Sequence, residues 1–198
     1  MCSHPKQASG FTLLELIVTI SIAGILMSMA IPTFSDMMRN NRLTTYTNEM
    51  VTSLNLARSE AIKRGVPVSV RKIGGTGTYW SDSGWNVFVD SNKNGTIDTG
   101  DLILRTYPAL PKNFTLAGNN NFVNSITYKA DGTSTNLGSF AICDNSDGNN
   151  IPERDTSKLI IVNQVGRVRM GKDSNNDGIP EKDNNTPTPT PLSSCITP

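Results

Sequence analysis

The chain has 198 residues, with 18 basic against 17 acidic side chains and a hydrophobic fraction of 36%. This length suits one domain with extensions. A net charge of +1 excludes a protein coated in basic surface for gripping nucleic acid, so any such binding must come from a local patch. The apolar residues are concentrated near the start of the chain, and this block excludes a simple soluble cytoplasmic protein.

The first element is an apolar segment that runs from Phe11 to Ile31 and contains one charge, Glu15. As a helix it would be about 30 Å long, enough to cross a bilayer core. A carboxylate inside a membrane helix costs about 2.5–3.5 kcal/mol, so Glu15 should have a partner. No Lys or Arg lies within a turn of it. Hydropathy alone fits a signal anchor, but cleavage after Gly10 would create an amine on Phe11 that could pair with Glu15.

The residues around this point, Gly10-Phe11-Thr-Leu-Leu-Glu15, resemble the processing site of type IV pilins and type II secretion pseudopilins. Gly24 and Pro32 also stand where many pilins have a Gly and a Pro. The resemblance implies that residues 1–10 are a leader peptide. A membrane-bound prepilin peptidase would remove it after Gly10 and methylate Phe11, and Glu15 would pair with the terminal amine of a neighbouring pilin during assembly. The protein would be a single-pass protein of the bacterial inner membrane with a periplasmic head, later moved into a pilus or pseudopilus.

Processing would change the composition of the chain. Without its first ten residues the chain has 17 basic and 17 acidic side chains, no histidine, and two cysteines, Cys143 and Cys195. The lack of histidine excludes His-dependent triads and the usual zinc sites, so we predict no catalytic residue, no enzyme and no cofactor. An even pair of cysteines in an exported chain indicates one disulfide, with two buried free thiols as the alternative.

A helical pattern continues after the apolar segment 11–31. Pro32 should bend the helix, and residues 32–65 should form its amphipathic half. The apolar stripe of this half recurs at spacings of three and four and predicts packing against the chain's own head, with a partner-binding face as the alternative. Gly65 should end the helix. The stripe consists of Leu43, Tyr46, Met50, Leu54, Ala57 and Ala61.

Beyond the helix the apolar period changes to two, which indicates strands in a head of residues 66–171. A Pro/Thr-rich tail, 172–198, follows and could carry Cys195 to its partner, with a glycosylated spacer as the alternative. The predicted fold is therefore α+β and pilin-like, a long kinked N-terminal α-helix packed on an antiparallel β-sandwich. The predicted strands are Val66–Ile73, Trp85–Asp90, Leu102–Tyr107, Phe114–Ala117, Ile126–Ala130, Ser139–Cys143 and Leu159–Val165.

Within the pilins, the head resembles the FimT/GspH group of minor pilins. The resemblance rests on three segments: the region from Phe88 to Arg105, the strand Gly138–Cys143, and Gly166-Arg-Val-Arg169. The FimT side of this group is associated with DNA binding during natural transformation through such a Gly-Arg-x-Arg motif. The resemblance therefore implies that Arg167 and Arg169 hold double-stranded DNA. Related minor pilins only prime the assembly of a pilus or of a type II secretion pseudopilus, which is the alternative function.

The spacing of this basic motif suits phosphate binding. If Val165–Met170 is extended, Arg167 and Arg169 lie on one side, about 7 Å apart, similar to successive phosphates of a strand. Gly166 would let a large ligand approach the backbone, and Lys172 would add a charge. Alternatively, the arginines belong to a solvated strand edge or pair with the acidic tail. Arg71, Lys72, Arg154 and Lys158 would join the patch only if the fold gathers them.

Two loops contain oxygen donors at the spacing of a calcium loop. The first offers Asp90, Asn92, Asn94, Asp98 and Asp101 at positions 1, 3, 5, 9 and 12 of the EF-hand template, with Gly95 at its centre. The second repeats the first half of the pattern from Asp173 to Gly178. Asn, Asp and Gly also make tight turns without any metal, and we favour turns in both loops.

Overall fold

The computed structural model describes residues 10–75, 79–119, 121–182 and 190–198, and of residues 32 and 33 only the backbone. Nine residues of the predicted leader and residues 183–189 of the Pro/Thr-rich tail lie outside these ranges. The chain divides into two compact units, Met1–Arg39 and Asn40–Pro198. Each unit is described separately below.

One helix, α1, extends from Leu13 to Arg64. In the first unit its large apolar side chains from Leu13 to Ile31, and those of Phe34, Met37 and Met38, are exposed. This helix is long and apolar enough to cross a membrane, with a mean hydropathy of 2.2 over its most apolar window. The bend that we predict at Pro32 remains a prediction.

In the second unit α1 carries its predicted stripe into the core. Leu43, Met50, Leu54, Ala57 and Ala61 are each at most 1% exposed, so the stripe packs against the chain's own head, as predicted. The helix ends as expected: Gly65 adopts a φ of +67°, and its amide donates to the carbonyl of Ala61 at 3.0 Å.

Within the described residues, eight strands form two four-stranded antiparallel sheets. The first sheet has the order β3-β2-β1-β5 and the second the order β4-β6-β7-β8. A short helix, α2, spans Trp80–Ser83. The strands are β1 Val68–Lys72, β2 Trp85–Val89, β3 Leu102–Tyr107, β4 Phe114–Gly118, β5 Ser125–Tyr128, β6 Gly138–Asp144, β7 Ser157–Val162 and β8 Val168–Met170.

Side chains from α1 and from both sheets share one apolar core, consistent with the predicted α+β architecture. Aromatic contacts lie within the head; in one, Tyr46 of α1 meets Phe114 of β4 edge-on, with ring centroids 4.9 Å apart. A second cluster covers the outer face of the second sheet, where Leu192 and Cys195 of the C-terminal segment pack on Ala141, Cys143 and Leu159. The sulfurs of Cys143 and Cys195 are 2.08 Å apart, so the predicted disulfide is present.

The predicted strands are right in position but wrong at several ends. The seventh was predicted to reach Val165, but β7 ends at Val162 because Gly166 donates back to the carbonyl of Asn163 and closes a turn. The fifth ends at Tyr128, where a turn from Lys129 begins. Neither β8 nor α2 was predicted, since three or four residues are too few to show a period.

Candidate functional site

The basic motif predicted to bind DNA lies at a hairpin between β7 and β8. The strands pair with Ile161 opposite Arg169 and Val162 opposite Val168. Val168 contacts the main core, whereas Ile161 contacts the outer cluster around the disulfide. Cross-strand partners share a face, so Arg169 lies on the outer face of the second sheet.

Gly166 has a packing role in the hairpin, and the ligand approach that we predicted for it stays a prediction. The residue is buried, with a φ of +77°, and a Cβ there would collide with the backbone carbonyl oxygen of Gly132. Glycine is needed so that the hairpin turn can pack on the neighbouring loop, which also explains why the segment 165–170 is not extended throughout.

The hairpin turn is fastened to the helix by Arg58. This half-buried guanidinium donates through Nε to the carbonyl of Gly132 at 3.0 Å and through Nη2 to the carbonyl of Val165 at 3.2 Å. The amide of Ser134 also donates to the carbonyl of Gln164 at 3.1 Å. Helix, loop and hairpin are thus joined at one point beside the two arginines.

Sequence reasoning did not identify Arg58. The available signal was a basic residue next to Ala57 and four residues after Leu54, at the border of the buried stripe. A guanidinium so placed is within reach of backbone carbonyls on the packed sheet.

Arg167 and Arg169 are both exposed. The amide of Arg167 donates to the side chain of Asn163 at 2.8 Å, while its guanidinium has no partner among the described residues. Arg169 donates through Nη2 to the carbonyl of Lys182 at 3.3 Å. One cation is therefore free to meet a ligand, and the other is loosely held by the C-terminal segment.

The remaining basic residues of the hypothesis are only partly brought to this face. Lys172 is exposed just after β8, where its backbone forms an isolated β-bridge with that of Glu181. Lys158 is half-buried on β7. Arg71 and Lys72 belong to β1 of the other sheet, and Lys72 is only 4% exposed. The exposed basic side chains on and just after this hairpin are thus Arg167, Arg169 and Lys172.

Two residues on the segments beside the hairpin, Asp131 and Tyr128, have shifted pKa values. Hydrogen bonds from the hydroxyl and amide of Thr133 hold the pKa of Asp131 below its usual value, so this carboxylate stays ionised next to Gly132. Burial raises the pKa of Tyr128 far above that of an ordinary tyrosine, so its side chain stays neutral beside Gly166 of the turn.

The first calcium candidate is arranged as a turn. Asp90 is fully buried, and its carboxylate accepts from the hydroxyl of Ser69 at 2.6 Å and from the amides of Asn94 and Gly95 at 3.1 and 2.9 Å. The amide side chains of Asn92 and Asn94 both donate to Asp98, which lowers its pKa.

The remaining candidate in this loop, Asp101, accepts from the amide of Asp98 at 2.9 Å. Its carboxylate thus serves the same turn. Within the described ranges, no group of three or more His, Cys, Asp and Glu side chains converges to hold a metal.

The N-terminal candidate is described within its own unit. Gly10 and Phe11 precede the helix, and the amide of Glu15 donates to Thr12 Oγ1 at 3.2 Å, closing the first turn. The Glu15 carboxylate is exposed and has no ion-pair partner in the part of the chain that the structure describes.

Comparison with protein families decides the class of this chain. The model of the type II transport protein GspH matches residues 46–166, and that of the prokaryotic N-terminal methylation motif matches residues 5–31. The chain belongs to the GspH family. This GspH-family protein is accordingly a type IV minor pilin or pseudopilin.

A solved structure supports the pilin-like fold. The GspH-family chain is 21% identical to the type IV minor pilin FimU of Pseudomonas aeruginosa strain PAO1, with a TM-score of 0.55 over 79% of this chain and 96% of that one. A second crystal form of FimU gives 19% identity and a TM-score of 0.48, with 80% and 98% covered. The shared fold is a long N-terminal helix followed by antiparallel sheets.

Proposed function

We propose that this GspH-family protein is cleaved after Gly10, N-methylated on Phe11, and incorporated through its apolar helix into a type IV pilus or a type II pseudopilus. The observation that carries the proposal is Glu15, a charge without an ion-pair partner in the described residues, five positions along a chain that would begin at Phe11. An amine on Phe11 of one subunit would neutralise Glu15 of the next one.

The exposed apolar side chains of the first unit support the same role. Leu13, Ile20 and Met29 are each at least 60% exposed, which suits residence first in the inner membrane and later among the helices of neighbouring pilins. The prepilin peptidase and the other pilins are the protein partners in this proposal, and the protein is structural, with no enzymatic activity.

The cleavage step is tested with Gly10→Ala in cells that contain the peptidase. We expect a precursor that stays in the membrane and is longer by ten residues, measured as intact mass. A normal mature mass for the variant would contradict cleavage at this position. Ser9→Ala is the matched control, because it changes an adjacent small residue and should be processed normally.

We further propose that the head binds double-stranded DNA for uptake in natural transformation through Arg167, Arg169 and Lys172. The specific observation is that the Arg167 guanidinium is exposed and unpaired in the described chain, on a hairpin that Arg58 fastens to the helix. Such a small patch supports two to four phosphate contacts, hence weak, sequence-independent binding that falls steeply with salt.

The alternative function, priming of filament assembly without DNA, is separated by a binding series at increasing salt. Arg167→Ala combined with Arg169→Ala should lower DNA affinity by at least tenfold at low salt. The number of phosphate contacts obtained from the slope of log K against log salt should fall by about two. Arg105→Ala with Lys93→Ala is the control, because it removes the same charge from another part of the head. Equal losses in both double variants would contradict a site at the hairpin.

A further inference from the structure

The loop that follows β8 matches the calcium-loop template beyond its first six positions. From Asp173 onward, oxygen-bearing side chains stand at positions 1, 3 and 5, a glycine at 6, and Glu181 at 9. This order is that of a calcium loop, in which position 7 contributes its backbone carbonyl, here Ile179. Position 12 of the template falls on residue 184, outside the described residues.

Glu181 is the residue that distinguishes this loop from an ordinary turn. It is fully buried, at 0% exposure, and its Oε2 accepts from the amide of Ser174 at 2.7 Å, so the carboxylate points into the start of the loop. Its Oε1 is buried and receives no hydrogen bond from any described residue. A buried carboxylate oxygen without a donor is costly, and a bound cation is one way to compensate it.

Asp173 repeats the arrangement on the other side of the loop. Its Oδ2 accepts from the amide of Gly178 at 2.8 Å, whereas its Oδ1 is buried and without a donor in the described part of the chain. Two carboxylates of one nine-residue loop thus each leave one buried oxygen unsatisfied.

The Asp90 loop provides an internal comparison because it has the same residue types. Both oxygens of Asp90 accept hydrogen bonds, from Ser69, Asn94 and Gly95. Asp98 is exposed, and two asparagine amides donate to its Oδ2. Composition alone therefore does not separate the two loops; the unsatisfied oxygens do.

We propose that Asp173 and Glu181 hold a calcium ion, with Asn175, Asp177 and the carbonyl of Ile179 as further oxygen ligands. The unsatisfied oxygens are hard, anionic donors, which Ca²⁺ prefers, and six to eight oxygens are its usual number. In the structure the Asp177 carboxylate accepts from the amide of Ile179 at 2.7 Å and from the side chain of Asn175 at 2.8 Å. In the proposed site this carboxylate gives up these partners and turns toward the ion. This rearrangement explains why three carboxylates do not yet converge in the described residues.

The position of the loop gives the ion a structural task. The backbone of Glu181 forms isolated β-bridges with Lys172 after β8 and with Pro191 of the C-terminal segment. The carbonyl of the next residue, Lys182, accepts a hydrogen bond from Arg169. The same segment ends in Cys195 on the second sheet. Calcium would therefore tie the C-terminal segment to the basic hairpin and hold the Arg169 partner in place.

The test is a calcium titration of the full chain in detergent, freed of metal with a chelator, by calorimetry and thermal unfolding. We expect one ion per chain and a rise in Tm of about 5–10 °C at a concentration about 100 times the Kd. Glu181→Gln should abolish the heat and the shift. No heat and no shift up to about 10 mM, ten times the weakest usual range, would overturn the proposal.

Two further variants make the result independent of folding defects. Asp177→Asn changes an exposed side chain, so it should leave the calcium-free Tm unchanged and weaken calcium binding at least tenfold. Asp98→Asn combined with Asp101→Asn should retain the full response. A response that persists in Asp177→Asn, or disappears when the first loop is changed, would place the ion elsewhere and overturn the proposal.

Discussion

The buried Gly166 faces the backbone carbonyl of Gly132 so closely that there is no room for a Cβ. This contact fixes the turn between β7 and β8 against the loop after β5, immediately before the two exposed arginines. The glycine of the Gly-Arg-x-Arg motif therefore supports the fold of the site.

We expect Gly166→Ala to destabilise the protein by about 2–4 kcal/mol, because a left-handed backbone and a steric clash add together. Gly148→Ala is the matched control, with a φ of +75° and open space around the missing Cβ. It should cost only about 1 kcal/mol. Urea unfolding measures both, and equal losses would show that the Gly132 contact has no energetic effect.

The hydrogen bonds of Arg58 to the carbonyls of Gly132 and Val165 form a clamp between the helix and the hairpin turn, and their loss should speed local opening of that turn. Arg58→Met keeps the apolar stem and removes the hydrogen bonds to Gly132 and Val165, so backbone amides at residues 163–167 should exchange at least tenfold faster with deuterium. Arg64→Met is the control, because Arg64 pairs with Glu60 and should leave this segment unchanged. Unchanged exchange in both variants would contradict the clamp.

The disulfide predicts a measurable loss of stability on reduction. Cys143→Ser combined with Cys195→Ser should lower the free energy of unfolding of the processed chain by about 2–5 kcal/mol, since the bridge closes a sequence separation of 52 residues. Reduction of the wild-type protein should give the same urea midpoint as the double variant. A midpoint that neither change moves would contradict this contribution.

The Glu15 proposal separates processing from assembly. Glu15→Ala should be cleaved at the normal rate, because the residue lies beyond the cleaved bond, but its incorporation into filaments should fall at least tenfold. The amount per filament is measured by immunoblot of sheared filaments, with Glu49→Ala of the second unit as the control. Normal incorporation of Glu15→Ala would contradict charge pairing during assembly.

The sequence was sufficient for the features that depend on periodicity and on local chemistry. The stripe from Leu43 to Ala61, the helix end at Gly65 and the Cys143–Cys195 pair were all predictable, because spacing and export chemistry determine them. Contacts between distant segments were not. Arg58 reaches residues 74 and 107 positions away, and a carbonyl acceptor leaves no mark on the sequence.

The packing role of Gly166 was not predictable for the same reason. A glycine beside two arginines is compatible with ligand approach and with backbone packing, and only the position of Gly132 distinguishes them. Glu181 was missed because its significance depends on burial, which nine residues of polar loop do not reveal.

The most direct test of the central claim is the mass of the protein's N-terminal peptide in purified filaments or pseudopili. The account predicts a peptide that begins at Phe11 and carries one additional methyl group on its amine. Assembly as a minor pilin would be contradicted if the filament-bound protein retained residues 1–10. It would also be contradicted if the processed protein accumulated in the membrane and was absent from filaments.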